Sequence, residues 1–92
     1  MTERTYRIKV KYIMREIAGE YLAIPLGAEG ENTSQIVILN PVSKLLWEAL
    51  QSEVTLGELV DKVLSSFDVS REEAEADTKD FLFELIQLGF LN

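Results

Sequence analysis

Cysteine and histidine are both missing from this chain of 92 residues. Their absence removes disulfides, thiolate zinc sites, iron–sulfur ligands, thiol nucleophiles and any histidine general base. The five glycines (Gly19, Gly27, Gly30, Gly57 and Gly89) are too scattered to form a phosphate-cradling loop. No apolar run approaches the roughly 18 residues that mark a membrane span, and the opening MTERTYRIKV lacks the apolar centre of a signal peptide. The expectation is a cytoplasmic protein with no membrane partner. Carboxylates, serine or lysine remain for catalysis, but so short a chain has little volume for a water-excluding pocket. No catalytic residue, cofactor or metal site is nominated, and the chain is expected not to be an enzyme.

What is present is enough to fold. Hydrophobic residues make up 47% of the chain with no low-complexity run, which suits one domain over residues 1–92. Residues 1–7 are expected to be either disordered or an extra strand. The net charge of −7 is uneven. Residues 1–15 hold five bases (Arg4, Arg7, Lys9, Lys11, Arg15) against Glu3 alone, or +4, which leaves −11 for residues 16–92. The basic segment also alternates, with Tyr6, Ile8, Val10, Tyr12 and Met14 on one side and Arg7, Lys9, Lys11, Ile13 and Arg15 on the other. That is the period of a half-buried strand. Its basic face either docks on an acidic surface or, as the simpler reading, is a solvated face that discourages edge pairing.

The strand pattern runs to Ile17, breaks at Ala18-Gly19 and resumes over residues 20–24, which is a tight hairpin. PLGAEGENT (25–33) is loop by composition. Residues 34–39 follow as a third strand whose Ile36, Val37, Ile38 and Leu39 are apolar on both faces. Something must therefore cover each side. Asn40-Pro41 opens a helix with an N-cap acceptor and proline at the first position. Its stripe is Val42, Leu45, Leu46, Ala49 and Leu50, with Trp47 at the flank, read as packing onto the sheet or a neighbouring helix. Thr55 and Glu58 form a capping box for a second helix with Leu56, Leu59, Val60, Val63 and Leu64 on one face.

Residues 70–91 give the longest helix, capped by Ser70 with Glu73 and stopped by Gly89. Ala74, Thr78, Phe81, Leu82 and Leu85 form one stripe, which already suffices to seat a helix on a core. Ile86 and Phe83 lie outside it, in a sector shared with Lys79. They either cover other parts of the domain or line a groove for a partner. Lys79 either meets a partner carboxylate or pairs with Glu75 one turn away.

Strand, strand, strand, helix, helix, helix is an α+β winged helix-turn-helix order, a three-stranded antiparallel sheet followed by three helices. The fold suggests a DNA-binding or regulatory protein as the alternative reading. Charge opposes it, because the recognition helix would carry Glu72, Glu73, Glu75, Asp77, Asp80 and Glu84 against Arg71 and Lys79. Six acids on an inserted helix repel phosphates, so no nucleic-acid partner is expected.

One further pattern is carried by REIAGEYL (15–22), Ile38-Leu39-Asn40, Leu46-Trp47-Glu48-Ala49-Leu50, Phe67-Asp68-Val69, Glu73-Ala74-Glu75-Ala76-Asp77, Phe81-Leu82, Leu85 and Gly89-Phe90-Leu91. Together, in order and spacing over residues 8–92, these resemble the PqqD family, the recognition elements of ribosomally made and modified peptides. Thr78 and Phe83 depart from the aliphatic or acidic residues usual in such proteins. The resemblance implies a protein that takes a precursor's leader peptide as an added strand beside the third strand and third helix. It would then present that peptide to a modifying enzyme, such as a radical S-adenosylmethionine protein or a lasso-peptide protease. Carried onto this chain, the strand is Ser34, Gln35, Ile36, Val37, Ile38 and Leu39, and the helix wall includes Lys79, Leu82, Phe83 and Ile86. The assembly is expected to be a monomer or a homodimer.

Overall fold

The computed structural model describes residues 3–26 and 36–91. Alternation along the basic segment is kept in full: Ile8 is buried, with Tyr6, Val10, Tyr12 and Met14 packed against the core, while Arg7, Lys9, Lys11, Ile13 and Arg15 are exposed. It is nevertheless not one strand. β1 (Thr5–Tyr6) ends after two residues, and β2 (Tyr12–Ile17) begins six residues later. Between them Ile8 N donates to Leu50 O at 2.9 Å and Lys9 N to Phe90 O at 3.1 Å. The backbone there bonds to other parts of the chain instead of to a neighbouring strand, which is how its polar groups are satisfied.

β2 turns into β3 (Glu20–Pro25) through Ala18 and Gly19, both at positive φ (54° and 83°). Two consecutive positive φ values mark a type I′ turn, whose twist matches that of the flanking strands. β4 (Val37–Leu39) pairs with β3 in the register Tyr21↔Leu39, Leu22↔Ile38 and Ala23↔Val37. The antiparallel sheet therefore runs β2-β3-β4. The expected third strand over residues 34–39 is shorter than anticipated: Ile36 lies outside it, and Ser34 and Gln35 fall outside the described residues.

α1 (Pro41–Ala49) starts where Asn40 and Ser43 satisfy each other: Ser43 N donates to Asn40 Oδ1 and Asn40 N to Ser43 Oγ, both at 2.8 Å. β5 (Val54–Thr55) pairs with β1, Thr5 opposite Thr55 and Tyr6 opposite Val54. Thr55 then caps α2 (Leu56–Ser66) reciprocally with Glu58. α3 (Arg71–Gln87) makes only half of the expected box, Glu73 N donating to Ser70 Oγ at 3.1 Å. Its end is a Schellman closure, with Gly89 at φ 88°, Gly89 N donating to Ile86 O and Phe90 N to Leu85 O.

The core gathers on one side of the sheet. Trp47 is its largest member at 0% exposure, edge-on to the rings of Tyr12 (centroids 4.9 Å apart) and Phe90 (5.4 Å). Trp47, at the flank of the α1 stripe, thus packs that helix onto the sheet as expected, and also onto the reversed chain after α3. Burying such a ring is worth at most about 4–6 kcal/mol of transfer free energy. Ala74, Thr78, Phe81, Leu82 and Leu85 of α3 are all buried, as their spacing predicts.

Candidate functional site

β4 lies at the border of the sheet, and among the described residues no backbone group of Val37, Ile38 or Leu39 bonds to anything beyond β3. Alternation along β4 is clean. Val37 and Leu39 are buried in the core, whereas Ile38 is 64% exposed. Two-sided apolarity is therefore covered on one side only among the described residues. The uncovered face of the sheet is shared by Ile13, Ile17, Leu22, Ile24 and Ile38, which the strand register places on one side, with Arg15 among them.

Beside this border is a cavity of about 320 Å³. Ile38 forms its edge, and the start of α1 contributes Asn40, Val42, Ser43 and Leu46. The opposite wall is α3, through Asp77, Asp80, Phe81 and Glu84. Positions 77, 80, 81 and 84 recur at helical spacing and so share one face. The cavity thus has an apolar floor of Val42, Leu46 and Phe81 under an acidic rim. It is the arrangement of a cleft that can hold a chain lying along β4.

Of the ten residues singled out from the sequence, β4 brings Val37, Ile38 and Leu39 together, and Ile38 alone lines the cavity. The expected helix wall is not the one that faces β4. Leu82 is buried in the core and Ile86 is packed against it, while Phe83 is 63% exposed and Lys79 is exposed, all on other faces of α3. A turn of 100° per residue puts 79, 82, 83 and 86 on the side of the helix away from 77, 80, 81 and 84. The cavity-lining residues not singled out from the sequence are Asn40, Val42, Ser43, Leu46 and Phe81 together with the three acids, for which helical spacing was the available signal.

Charges around the cleft are largely uncommitted. Lys44, the only cation of α1, bonds Glu48 at 2.6 Å and lies 4.4 Å from the centroid of the Tyr21 ring. The Glu48 hydrogen bond holds the Lys44 ammonium above its ordinary value of 10.5. Arg71 pairs with Asp61 at 3.3 Å. Among the described residues, Lys79 makes no ion pair with Glu75, and Asp77, Asp80 and Glu84 make none at all. No group of three or more acidic residues among those described is arranged to hold a metal ion, and no helix is long and apolar enough to cross a membrane.

The architecture has a counterpart among solved structures. It is similar to "TbiB1 in Complex with the TbiA(beta) Leader Peptide", at 24% identity and TM-score 0.72 over 94% of each chain. At that identity the likeness is one of fold. No curated protein sequence matches the chain. A family model does: that of coenzyme PQQ synthesis protein D (PqqD) matches residues 23–91, from β3 through the turn after α3, and the chain belongs to the PqqD family.

Proposed function

We propose that this protein binds the leader segment of a ribosomally synthesised precursor peptide as an additional strand on β4 and presents it to a modifying enzyme, such as a radical S-adenosylmethionine protein or a lasso-type protease. In this reading it is a cytoplasmic adaptor with no chemistry of its own. The observation that carries it is the border of β4, unpaired among the described residues, beside the cavity walled by α3. Unpaired N–H and C=O groups along a sheet edge take an extended peptide with little sequence discrimination, and adjoining pockets supply the selection. Family membership supports the same reading, as does the structural neighbour, which is itself in complex with a leader peptide. Val37, Ile38 and Leu39 would provide the pairing strand. Phe83, Lys79, Leu82 and Ile86 are left without a direct part in the cleft. Winged-helix binding of DNA is disfavoured by the acidic surface of α3.

The test is a titration with the leader peptide of a precursor encoded beside this gene, followed by backbone amide NMR. Binding at micromolar or lower Kd, with the largest shifts at Val37, Ile38 and Leu39, is expected. Binding that leaves those three amides unmoved would refute strand addition at β4, and a salt-sensitive shift of duplex DNA in its place would restore the regulatory reading.

A further inference from the structure

The acids on the cleft side of α3 are not explained by the fold. Glu72 and Glu73 occupy the first turn, where the positive end of the helix dipole rewards them. Asp77, Asp80 and Glu84 lie beyond that turn, and Glu84 is in the last one, where negative charge is disfavoured. Asp77 with Asp80 and Asp80 with Glu84 are like-charge neighbours at i,i+3 and i,i+4, which destabilise a helix. No cation among the described residues forms an ion pair with them. The N-terminus of α1 faces the same cavity, but its N3 amide and the N-cap amide are already taken up by Asn40 and Ser43. An arrangement that costs the helix something, beside an open strand border and over the apolar floor of Phe81 and Leu46, is one that a bound cation would relieve.

We infer that the cleft selects a guest strand bearing lysine or arginine on the side that faces α3, with Asp77, Asp80 and Glu84 as the selecting residues. This rests on the reading of β4 as the docking strand. Side chains of a guest strand alternate, so every second residue points toward α3 and the others join the uncovered face around Ile38, Leu22 and Ile24. The guest is accordingly two-faced, cationic or small toward the helix and apolar on the reverse. Acidic side chains at the helix-facing positions would be repelled, so the cleft rejects as well as attracts.

The experiment uses the full chain and three short fluorescent peptides on one Thr/Val host sequence, with Lys, Gln or Glu at alternate positions. Each is titrated by anisotropy and by amide NMR against the parent and the double variant D80N/E84Q. The Lys peptide should bind tightest and the Glu peptide weakest. In D80N/E84Q the Lys peptide should lose about five- to tenfold in affinity, and the difference among peptides should shrink as NaCl is raised. The same variant without peptide should melt about 1–4 °C higher, because the like-charge neighbours are gone. That opposite movement of stability and binding separates selection from damage to the fold. Equal affinity of all three peptides, with shifts at Val37, Ile38 and Leu39, would overturn charge selection and leave strand addition standing. A Lys peptide that binds without moving those amides, or no peptide moving them, would overturn both.

Discussion

β2 and β4 border the same sheet, yet only one of them carries charge along its length. β2 is six residues long and includes Arg15 and Glu16, whereas β4 is three apolar residues, Val37, Ile38 and Leu39. Charged side chains on an edge strand discourage a second chain from pairing there. β4 has no such guard of its own. Its charges stand across the cleft, on Asp77, Asp80 and Glu84 of α3. The comparison teaches that one border carries charges of its own, whereas the charges beside the other stand on a neighbouring helix, which in the proposed reading would choose the partner.

The largest expected effect removes the support that both borders share. Trp47→Ala should cost about 3–5 kcal/mol, seen as a lower urea midpoint, because the ring meets Tyr12 of β2 on one side and Phe90 on the other. A variant that unfolds only one border would break the comparison. Proline then tells the two directions of β4 apart, since successive N–H groups of a strand point to opposite edges. Of Val37→Pro and Ile38→Pro, one should lose stability by breaking the ladder to β3. The other should keep its melting temperature and lose about tenfold or more in leader affinity by isothermal titration. On β2, whichever of Arg15→Pro and Glu16→Pro keeps the ladder should bind leader as the parent does.

Smaller effects sharpen the contrast from within each border. On the β4 side, Thr78 is fully buried in α3 and its Oγ1 has no hydrogen-bond partner among the described residues. Thr78→Val should raise stability by about 1 kcal/mol in chemical denaturation, since an unsatisfied hydroxyl is replaced by a methyl of the same shape. Leader affinity should not change. On the β2 side, Ala18 holds a positive φ that suits Asn far better. Ala18→Asn should add about 0.5–1 kcal/mol, measured by thermal melting, again without altering binding.

Much of the fold was legible because its punctuation is local. Asn40-Pro41, Thr55 with Glu58, Ser70 and Gly89 mark helix ends through bonds to residues three or four positions away. Alternation over residues 6–15 gave the right inside and outside for every residue. It could not reveal that Thr5 and Tyr6 pair with Thr55 and Val54, because a distant partner leaves no trace in a local period. The same limit explains why the expected helix wall differs from the face of α3 that lines the cavity. Apolar spacing told which face of α3 is greasy, and the groove was assigned to the greasy remainder, Phe83 and Ile86 with Leu82 and Lys79. In the folded chain Leu82 belongs to the core and the acidic face turns to β4. Periodicity reports burial, and it is silent about which neighbour does the burying.

The reversal after α3 has a bearing on how the chain matures during synthesis. Phe90 swings back to meet the indole ring of Trp47, and its carbonyl accepts from Lys9 near the other end of the chain. Helices and hairpin can form as they leave the ribosome, but the aromatic cluster stays incomplete until Gly89, Phe90 and Leu91 have cleared the exit tunnel. A nascent chain lacking those three residues would leave the indole without the Phe90 ring against it.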